Sequence, residues 1–262
     1  MPAASRVAHE VTADGSVHSL VLDGQNGNIL DETMCREVLA ALERAAVVRE
    51  GKLLVLSGAA GNFSYGASIQ EHFPEQAPRM LSNMRAVVEA LLAFPYPTLA
   101  AVEGRCLGGG LEVALACSLM FVDEAATLAF PEIRLGSFPP FGVALLEARL
   151  PRPLVAELIL TGRELSPGEA LEWGIINRVI PHGKLEEAVF DFSKKHVLPY
   201  SASCLRVAHR AVTKLGAMPL ASMTQRLEQM ETHYLQELMP LEDASEGIRA
   251  FLEKRYPGWR NR

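Results

Sequence analysis

Apolar residues follow two different spacings along the chain, and their alternation predicts an α/β fold. The runs 52–58 and 98–104 are short, apolar and closed by glycine, which is typical of buried parallel strands. Residues 31–50 repeat apolar positions at helical spacing, with Asp31 as the predicted N-cap. The predicted strands cover 17–24, 52–58, 98–104, 118–124 and 126–130, and the predicted helices cover 31–50, 79–94 and a segment that begins near Gly109. This order favours a largely parallel sheet with right-handed crossovers.

Helical spacing dominates from about 141 to 254, with one strand-like stretch at 175–180. One long apolar stripe within this part is rich in methionine. It consists of Leu220, Met223, Leu227, Met230, Tyr234 and Leu238. The stripe fits a helix packed on its own subunit and a subunit interface equally well.

Composition and charge narrow the class of protein. The 262 residues are 49% hydrophobic and 21% charged, with a formal net charge of −6, so general attraction to nucleic acid or an anionic membrane is not expected. Residues 1–16 lack the apolar core of a secretion signal, and the apolar run 111–122 is too short to span a bilayer. The four cysteines show no CxxC spacing. We therefore expect a cytoplasmic protein with reduced thiols and neither a zinc site nor a redox pair.

Three consecutive glycines, Gly108 to Gly110, separate the predicted strand 98–104 from the helix that follows. The first N–H groups of a helix lack intrahelical partners, and glycine lets a ligand approach the backbone closely. The dinucleotide pattern GxGxxG is absent because Val113 occupies its last position. A second turn, at 61–69, follows the strand 52–58 and would emerge at the same sheet edge. One N–H from each turn can then converge on one oxygen as an oxyanion hole, where a donor is worth about 3 kcal/mol.

Two glutamates accompany this turn. Glu112 lies in the first turn of the glycine helix, and Glu132 follows twenty residues later between two apolar stretches. A base and a proton donor beside an oxyanion hole suit the addition of water to an activated double bond, and repulsion would separate their pKa values. The pattern alone still favours two exposed or salt-bridged side chains.

Several ordered motifs resemble the crotonase, or enoyl-CoA hydratase/isomerase, superfamily over nearly the whole chain. They are NGNILDETM (26–34), LVLSGAAGNFSYGASI (54–69), AAVEGRCLGGGLEVALAC (100–117), FPEIRLG (130–136), LTGRELSPGEALEWGIINRVI (160–180) and SEGIRAFLEKR (245–255). The resemblance implies an α/β spiral of ββα units with a C-terminal helical trimerisation layer. It implies a core over 1–200, a helical oligomerisation region over 201–262, and a homotrimer or dimer of trimers.

The resemblance also implies catalytic roles. The N–H groups of Ala67 and Gly109 match the pair that holds a thioester carbonyl oxygen. Glu112 matches the base that acts on water, and Glu132 matches the acid that protonates the α-carbon. The implied function is a hydro-lyase acting on an α,β-unsaturated acyl-CoA thioester, with no cofactor beyond the CoA of the substrate.

Candidate substrate contacts lie in three segments. They are Ser64, Tyr65, Ser68 and Ile69 at the first turn, Pro140 and Phe141 in the segment 136–146, and Phe251 and Lys254 near the C-terminus. The last two resemble residues that contact CoA from a neighbouring subunit, although Lys254 suits a solvated helix face equally well, and a packed side chain is the simpler interpretation of Tyr65. Ser68 and Ser118 stand where the family usually has aspartate.

Bulk in the segment 136–146 marks a departure from the family, which often has a glycine-rich turn there. Pro140, Phe141 and Val143 fill this region, and with the motif GNILD they resemble the members that hydrate cyclic dienoyl-CoA thioesters. Three alternatives remain: a double-bond isomerase, which needs only one base, a non-catalytic acyl-CoA binder, and a nucleic-acid binder, which the net charge disfavours.

Overall fold

The computed structural model of the protein describes residues 5–12, 14–215 and 220–260. The strands are β1 (Val7–Thr12), β2 (Val17–Leu22), β3 (Leu53–Gly58), β4 (Thr98–Val102), β5 (Arg105–Leu107), β6 (Leu119–Asp123), β7 (Thr127–Ala129), β8 (Glu164–Leu165) and β9 (Arg178–Ile180). Six strands form one sheet in the order β1-β2-β3-β4-β6-β9, and β5, β7 and β8 form a smaller sheet. From β2 to β9 the neighbours in the large sheet pair in parallel, which confirms the predicted fold class.

Helices cover both faces of the large sheet and form the C-terminal part of the fold. They are α1 (Gln25–Asn28), α2 (Glu32–Ala46), α3 (Ala77–Leu92), α4 (Gly109–Ala116), α5 (Pro140–Glu147), α6 (Arg152–Thr161), α7 (Pro167–Glu172), α8 (Leu185–His196), α9 (Ala202–Leu215), α10 (Leu220–His233) and α11 (Glu242–Leu252). Short 3₁₀ turns lie at Ile69–His72 and Pro131–Leu135, and a π-helical turn covers Tyr234–Leu238.

The parallel strands bury both of their faces, as their continuous apolar sequence predicts. Leu54 and Leu56 of β3 belong to the large core shared with α2 and α3, whereas Leu53 and Val55 pack in a second core beneath α8. Asp31 caps α2 as predicted, since its Oδ1 accepts a hydrogen bond from the N–H of Met34 at 2.9 Å.

Four strands differ from the predicted pattern. β1 was not predicted: it is an edge strand, antiparallel to β2, whose mostly exposed residues lack the apolar run of the inner strands. β5 and β8 are too short to show a period. Only the last three residues of the stretch 175–180 form a strand, because the N–H groups of Ile175 and Ile176 donate to the carbonyl of Ala170 in α7, at 2.9 and 3.3 Å.

The apolar stripe of the C-terminal part packs on its own subunit. Met223, Leu227 and Tyr234 are buried, and Met230 and Leu238 pack against the large core. The first of the two alternatives for this stripe is therefore the observed one. No helix within the described ranges combines the length and the apolarity needed to cross a bilayer. The division at residue 200 stays a prediction.

Candidate active site

A cavity of about 630 Å³ opens where the turn after β3 meets the turn after β5. Backbone at Gly66 and Ala67 and at Gly108 and Gly109 forms one wall. The acids Glu112 and Glu132 lie at the same cavity, together with apolar residues from α3, α5 and the C-terminal part. The structure thus brings both predicted turns and both predicted acids to one place.

Backbone hydrogen bonds fasten the two turns to each other. The Ser64 N–H donates to the carbonyl of Arg105 at 3.0 Å, and the Leu107 N–H donates to the carbonyl of Ser64 at 2.9 Å. On its other side, the first turn pairs with Leu30, whose N–H donates to the carbonyl of Gly66 at 2.9 Å. The position of each turn is therefore set by the tertiary fold as well as by its own glycines.

The N–H groups of Ala67 and Gly109 lie close together and are available to a ligand. A Cβ added at Gly109 would lie 3.1 Å from the nitrogen of Ala67, and one added at Gly66 would lie 3.2 Å from the nitrogen of Gly109. Within the described ranges, neither N–H has a backbone or side-chain acceptor. Two neighbouring unpaired amides at one cavity are the kind of donor pair that an oxyanion hole uses.

A buried polar cluster supports the first turn from behind. The Asn28 side chain donates to the carbonyls of Ala59 and Asn62, at 3.0 and 2.8 Å. Ser64 Oγ donates to the carbonyl of Asn28 at 2.8 Å and accepts from the N–H of Gly66 at 3.0 Å. Ser64 is fully buried and does not line the cavity, so its side chain positions the turn and makes no contact with the cavity.

Glu112 is held by the N-terminus of α5. Its Oε1 accepts a hydrogen bond from the N–H of Gly142 at 2.7 Å. Burial raises the pKa of Glu112 to about 7, and the hydrogen bonds from the N–H groups of Gly142 and Phe141 oppose this shift. Glu112 therefore titrates near neutral pH, which suits a base.

Glu132 lies in the 3₁₀ turn after β7, with its carboxyl group against the Cα of Gly108. Its Oε2 is buried and has no hydrogen-bond partner within the described residues. Burial, and then the negative charge of Glu112, raise the pKa of Glu132 well above its ordinary value. The negative charge of Glu112 thus favours the protonated form of Glu132.

The other predicted contacts separate into two groups. Tyr65, Ile69, Pro140, Phe141 and Phe251 line the cavity. Ser68 and Lys254 do not: Ser68 Oγ donates to Gln70 Oε1 at 3.3 Å, and Lys254 is exposed beyond the end of α11. Their roles in substrate binding stay predictions. Phe251 reaches the cavity of its own chain.

Sequence reasoning missed several groups at this cavity. Tyr234, His72 and Arg255 line it, and the N–H of Gly142 holds Glu112. The consecutive prolines Pro139 and Pro140 were an available signal for Gly142, because they mark a helix start with unpaired N–H groups. No group of three or more His, Cys, Asp or Glu side chains in the described part of the chain is placed to hold a metal ion.

Comparison with known proteins identifies the family. The sequence model of the enoyl-CoA hydratase/isomerase family matches residues 12–262, and the chain belongs to this family. The predicted resemblance is thereby confirmed.

Individual relatives match over almost their whole length. Cyclohexa-1,5-dienecarbonyl-CoA hydratase of Thauera aromatica is 37% identical over 249 residues, which are 95% of each chain. Carnitinyl-CoA dehydratase of Proteus mirabilis is 30% identical over 258 residues, 96% of this chain and 98% of that protein. An enoyl-CoA hydratase from Mycobacterium avium subsp. paratuberculosis has a similar structure, with a TM-score of 0.85 at 26% identity over 99% of this chain and 100% of that one.

Proposed function

We propose that the protein is a hydro-lyase that adds water across the double bond of an α,β-unsaturated acyl-CoA thioester. The observation that carries this proposal is the pair Glu112 and Glu132, buried at one cavity beside the unpaired N–H groups of Ala67 and Gly109. Family membership supports the acyl-CoA thioester as the class of substrate.

The proposed reaction uses the two acids in opposite protonation states. The thioester oxygen accepts hydrogen bonds from the Ala67 and Gly109 amides, which stabilise its negative charge as the β-carbon is attacked. Glu112, ionised, takes a proton from water while the water oxygen bonds to the β-carbon. Glu132, protonated, gives its proton to the α-carbon. One water molecule is added, and a proton transfer from Glu112 to Glu132, through solvent, restores the pair.

We further propose a compact, cyclic dienoyl group as the acyl part. The relative from Thauera aromatica is named for a cyclic dienoyl substrate and is 37% identical over 95% of this chain. Phe138, Pro140 and Phe141 contribute apolar bulk to the acyl end of the cavity, which favours a flat ring over a long, flexible chain.

Labelled water separates this proposal from the isomerase of the same fold. Cyclic and linear unsaturated CoA thioesters are incubated with the protein in water enriched in oxygen-18 and, in parallel, in deuterium oxide, and the products are weighed by mass spectrometry. A hydratase is expected to give a product heavier by one labelled water, with the cyclic thioester consumed faster. Solvent deuterium without solvent oxygen would identify an isomerase. Binding without any product would leave an acyl-CoA binder.

The rate of hydration is expected to follow a bell-shaped dependence on pH. On the acid side kcat/KM should fall below a pH of about 7, because protonation of Glu112 removes the base. On the alkaline side it should fall as Glu132 loses its proton, at a pH well above the ordinary carboxyl range. The measurement is kcat/KM across pH, with folding followed by circular dichroism. A rate that stays constant between about pH 5 and 8 would exclude Glu112 as the titrating base.

The other predictions, about partners, location and cofactors, stay predictions. They are a homotrimer or dimer of trimers, a cytoplasmic location, no nucleic-acid or membrane partner, and no cofactor beyond the CoA of the substrate.

A further inference from the structure

Tyr234 lies where α10 gives way to the π-helical turn Tyr234–Leu238. The N–H of Met239 donates to the carbonyl of Tyr234 at 3.1 Å, which closes the wider turn. Such turns shift side chains out of regular helical register and recur at functional sites. The Tyr234 ring is 1% exposed and packs 5.3 Å from the Phe138 ring, yet the residue lines the cavity that holds both acids.

The hydroxyl group of Tyr234 is held by Ser137, two residues after the 3₁₀ turn that carries Glu132. Ser137 Oγ donates to the Tyr234 hydroxyl oxygen at 2.9 Å, and the Ser137 N–H donates to the carbonyl oxygen of Glu132 at 3.0 Å. The phenol proton itself has no acceptor within the described residues. A buried hydroxyl that accepts one hydrogen bond and retains its own proton can donate that proton to a ligand.

The charge state of Tyr234 supports a donor role. Burial is the largest cause that raises its pKa, and the charges of Glu132 and Glu112 act in the same direction against the hydrogen bond from Ser137. The phenol therefore stays neutral where Glu112 titrates. It donates a hydrogen bond without competing for the proton that Glu112 removes.

We propose that Tyr234 donates a hydrogen bond to the reacting oxygen, first in the attacking water and then in the β-hydroxyl group of the product. This inference rests on the proposed function, because it assigns recognition of the oxygen added in that reaction to one residue. Tyr234 would fix the position of an oxygen that a ligand without a hydroxyl group does not have.

The test compares two ligands that differ by this oxygen. Cyclohexane-1-carbonyl-CoA and its 2-hydroxy derivative are titrated by calorimetry in a Glu112→Gln background, which blocks turnover. Adding Tyr234→Phe is expected to weaken the hydroxylated ligand about 5- to 10-fold, as for one lost neutral hydrogen bond, and the other ligand less than about twofold. Ser137→Ala keeps the phenol proton but removes the hydrogen bond that holds the Tyr234 hydroxyl group. We therefore expect a smaller loss of affinity, about two- to threefold, for the hydroxylated ligand only.

Tyr96→Phe is the matched control. Tyr96 is also a fully buried tyrosine, and its hydroxyl donates to the carbonyl of Ala45 at 2.9 Å, outside the cavity wall. Its removal should leave the ratio of the two affinities unchanged. An equal loss for both ligands with Tyr234→Phe, or no loss for either, would overturn the inference. If Tyr234→Phe does not fold, the ratio measured with Ser137→Ala decides.

The two proposals fail separately. The wild-type protein could hydrate no thioester while Tyr234→Phe still lowers the affinity for the hydroxylated ligand selectively. That result would support hydroxyl recognition by Tyr234 and refute the hydratase proposal. A working hydratase whose affinity ratio does not change would retain the proposed function and refute the role of Tyr234.

Discussion

Replacing Glu112 or Glu132 with glutamine is expected to lower kcat for hydration at least about 100-fold and to leave acyl-CoA affinity near the wild-type value. Glutamine keeps the shape of the side chain but can neither take the proton from water nor give one to the α-carbon. A 100-fold loss corresponds to about 2.7 kcal/mol of transition-state stabilisation. Steady-state rates with an unsaturated acyl-CoA and calorimetry with its saturated analogue measure the two quantities.

Thermal unfolding distinguishes lost chemistry from lost structure in these variants. The pKa of Glu112 rises from 4.5 to about 7 in the fold, so wild-type stability falls as pH rises through this window. Glutamine removes that loss, and Glu112→Gln should unfold at or above the wild-type temperature at a pH of about 8. Glu71→Gln is the control, because Glu71 is a half-buried carboxyl group of raised pKa outside the described cavity wall. Near-wild-type hydration by either active-site variant would exclude the paired-acid mechanism.

Gly108→Ala should lower hydration about 100- to 1,000-fold, the range expected when an oxyanion donor is lost. Gly108 has φ 49° and ψ −124°, a conformation that side chains rarely adopt. An added Cβ would also overlap Oε1 of Glu132. Relief of this overlap must move the carboxyl group, the N–H of Gly109, or both. The rate with an unsaturated acyl-CoA measures the effect.

Gly174→Ala provides a matched control for backbone strain. Gly174 also has a positive φ, of 73°, but a Cβ there would meet nothing within 4 Å. Activity close to wild type is expected for this variant, with a modest decrease in unfolding temperature. Equal losses in both glycine variants would indicate a general folding defect, and an unchanged rate with Gly108→Ala would remove Gly108 from the site.

The inner sheet was predictable because strong local signals mark it, whereas the pattern alone favoured exposed or salt-bridged positions for Glu112 and Glu132, which are buried. β3 and β4 are buried on both faces, so their apolar runs are unambiguous, and Asp31 begins α2 with a side-chain cap. Glu112 follows a glycine turn that fixes its place in the first turn of α4. These features depend on residues that are neighbours in the sequence, so the sequence alone reveals them.

Features that depend on distant contacts were not predictable from the pattern. Tyr234 belongs to an apolar stripe, and a stripe looks the same whether it packs in a core or lines a cavity. The amide that holds Glu112 belongs to Gly142, and a backbone donor leaves no side-chain signal. Ser64 was a candidate contact because it adjoins the turn, but its side chain points inward to the backbone of Asn28.

The two ends of the cavity come from different parts of the chain. In the proposed reaction, backbone in the turns after β3 and β5 binds the thioester oxygen, and side chains of α5 and of the segment just before it, which line the same cavity, surround the acyl group. Substitutions at Phe138 or Phe141 are therefore expected to alter which acyl groups are accepted without disturbing the amides of Ala67 and Gly109.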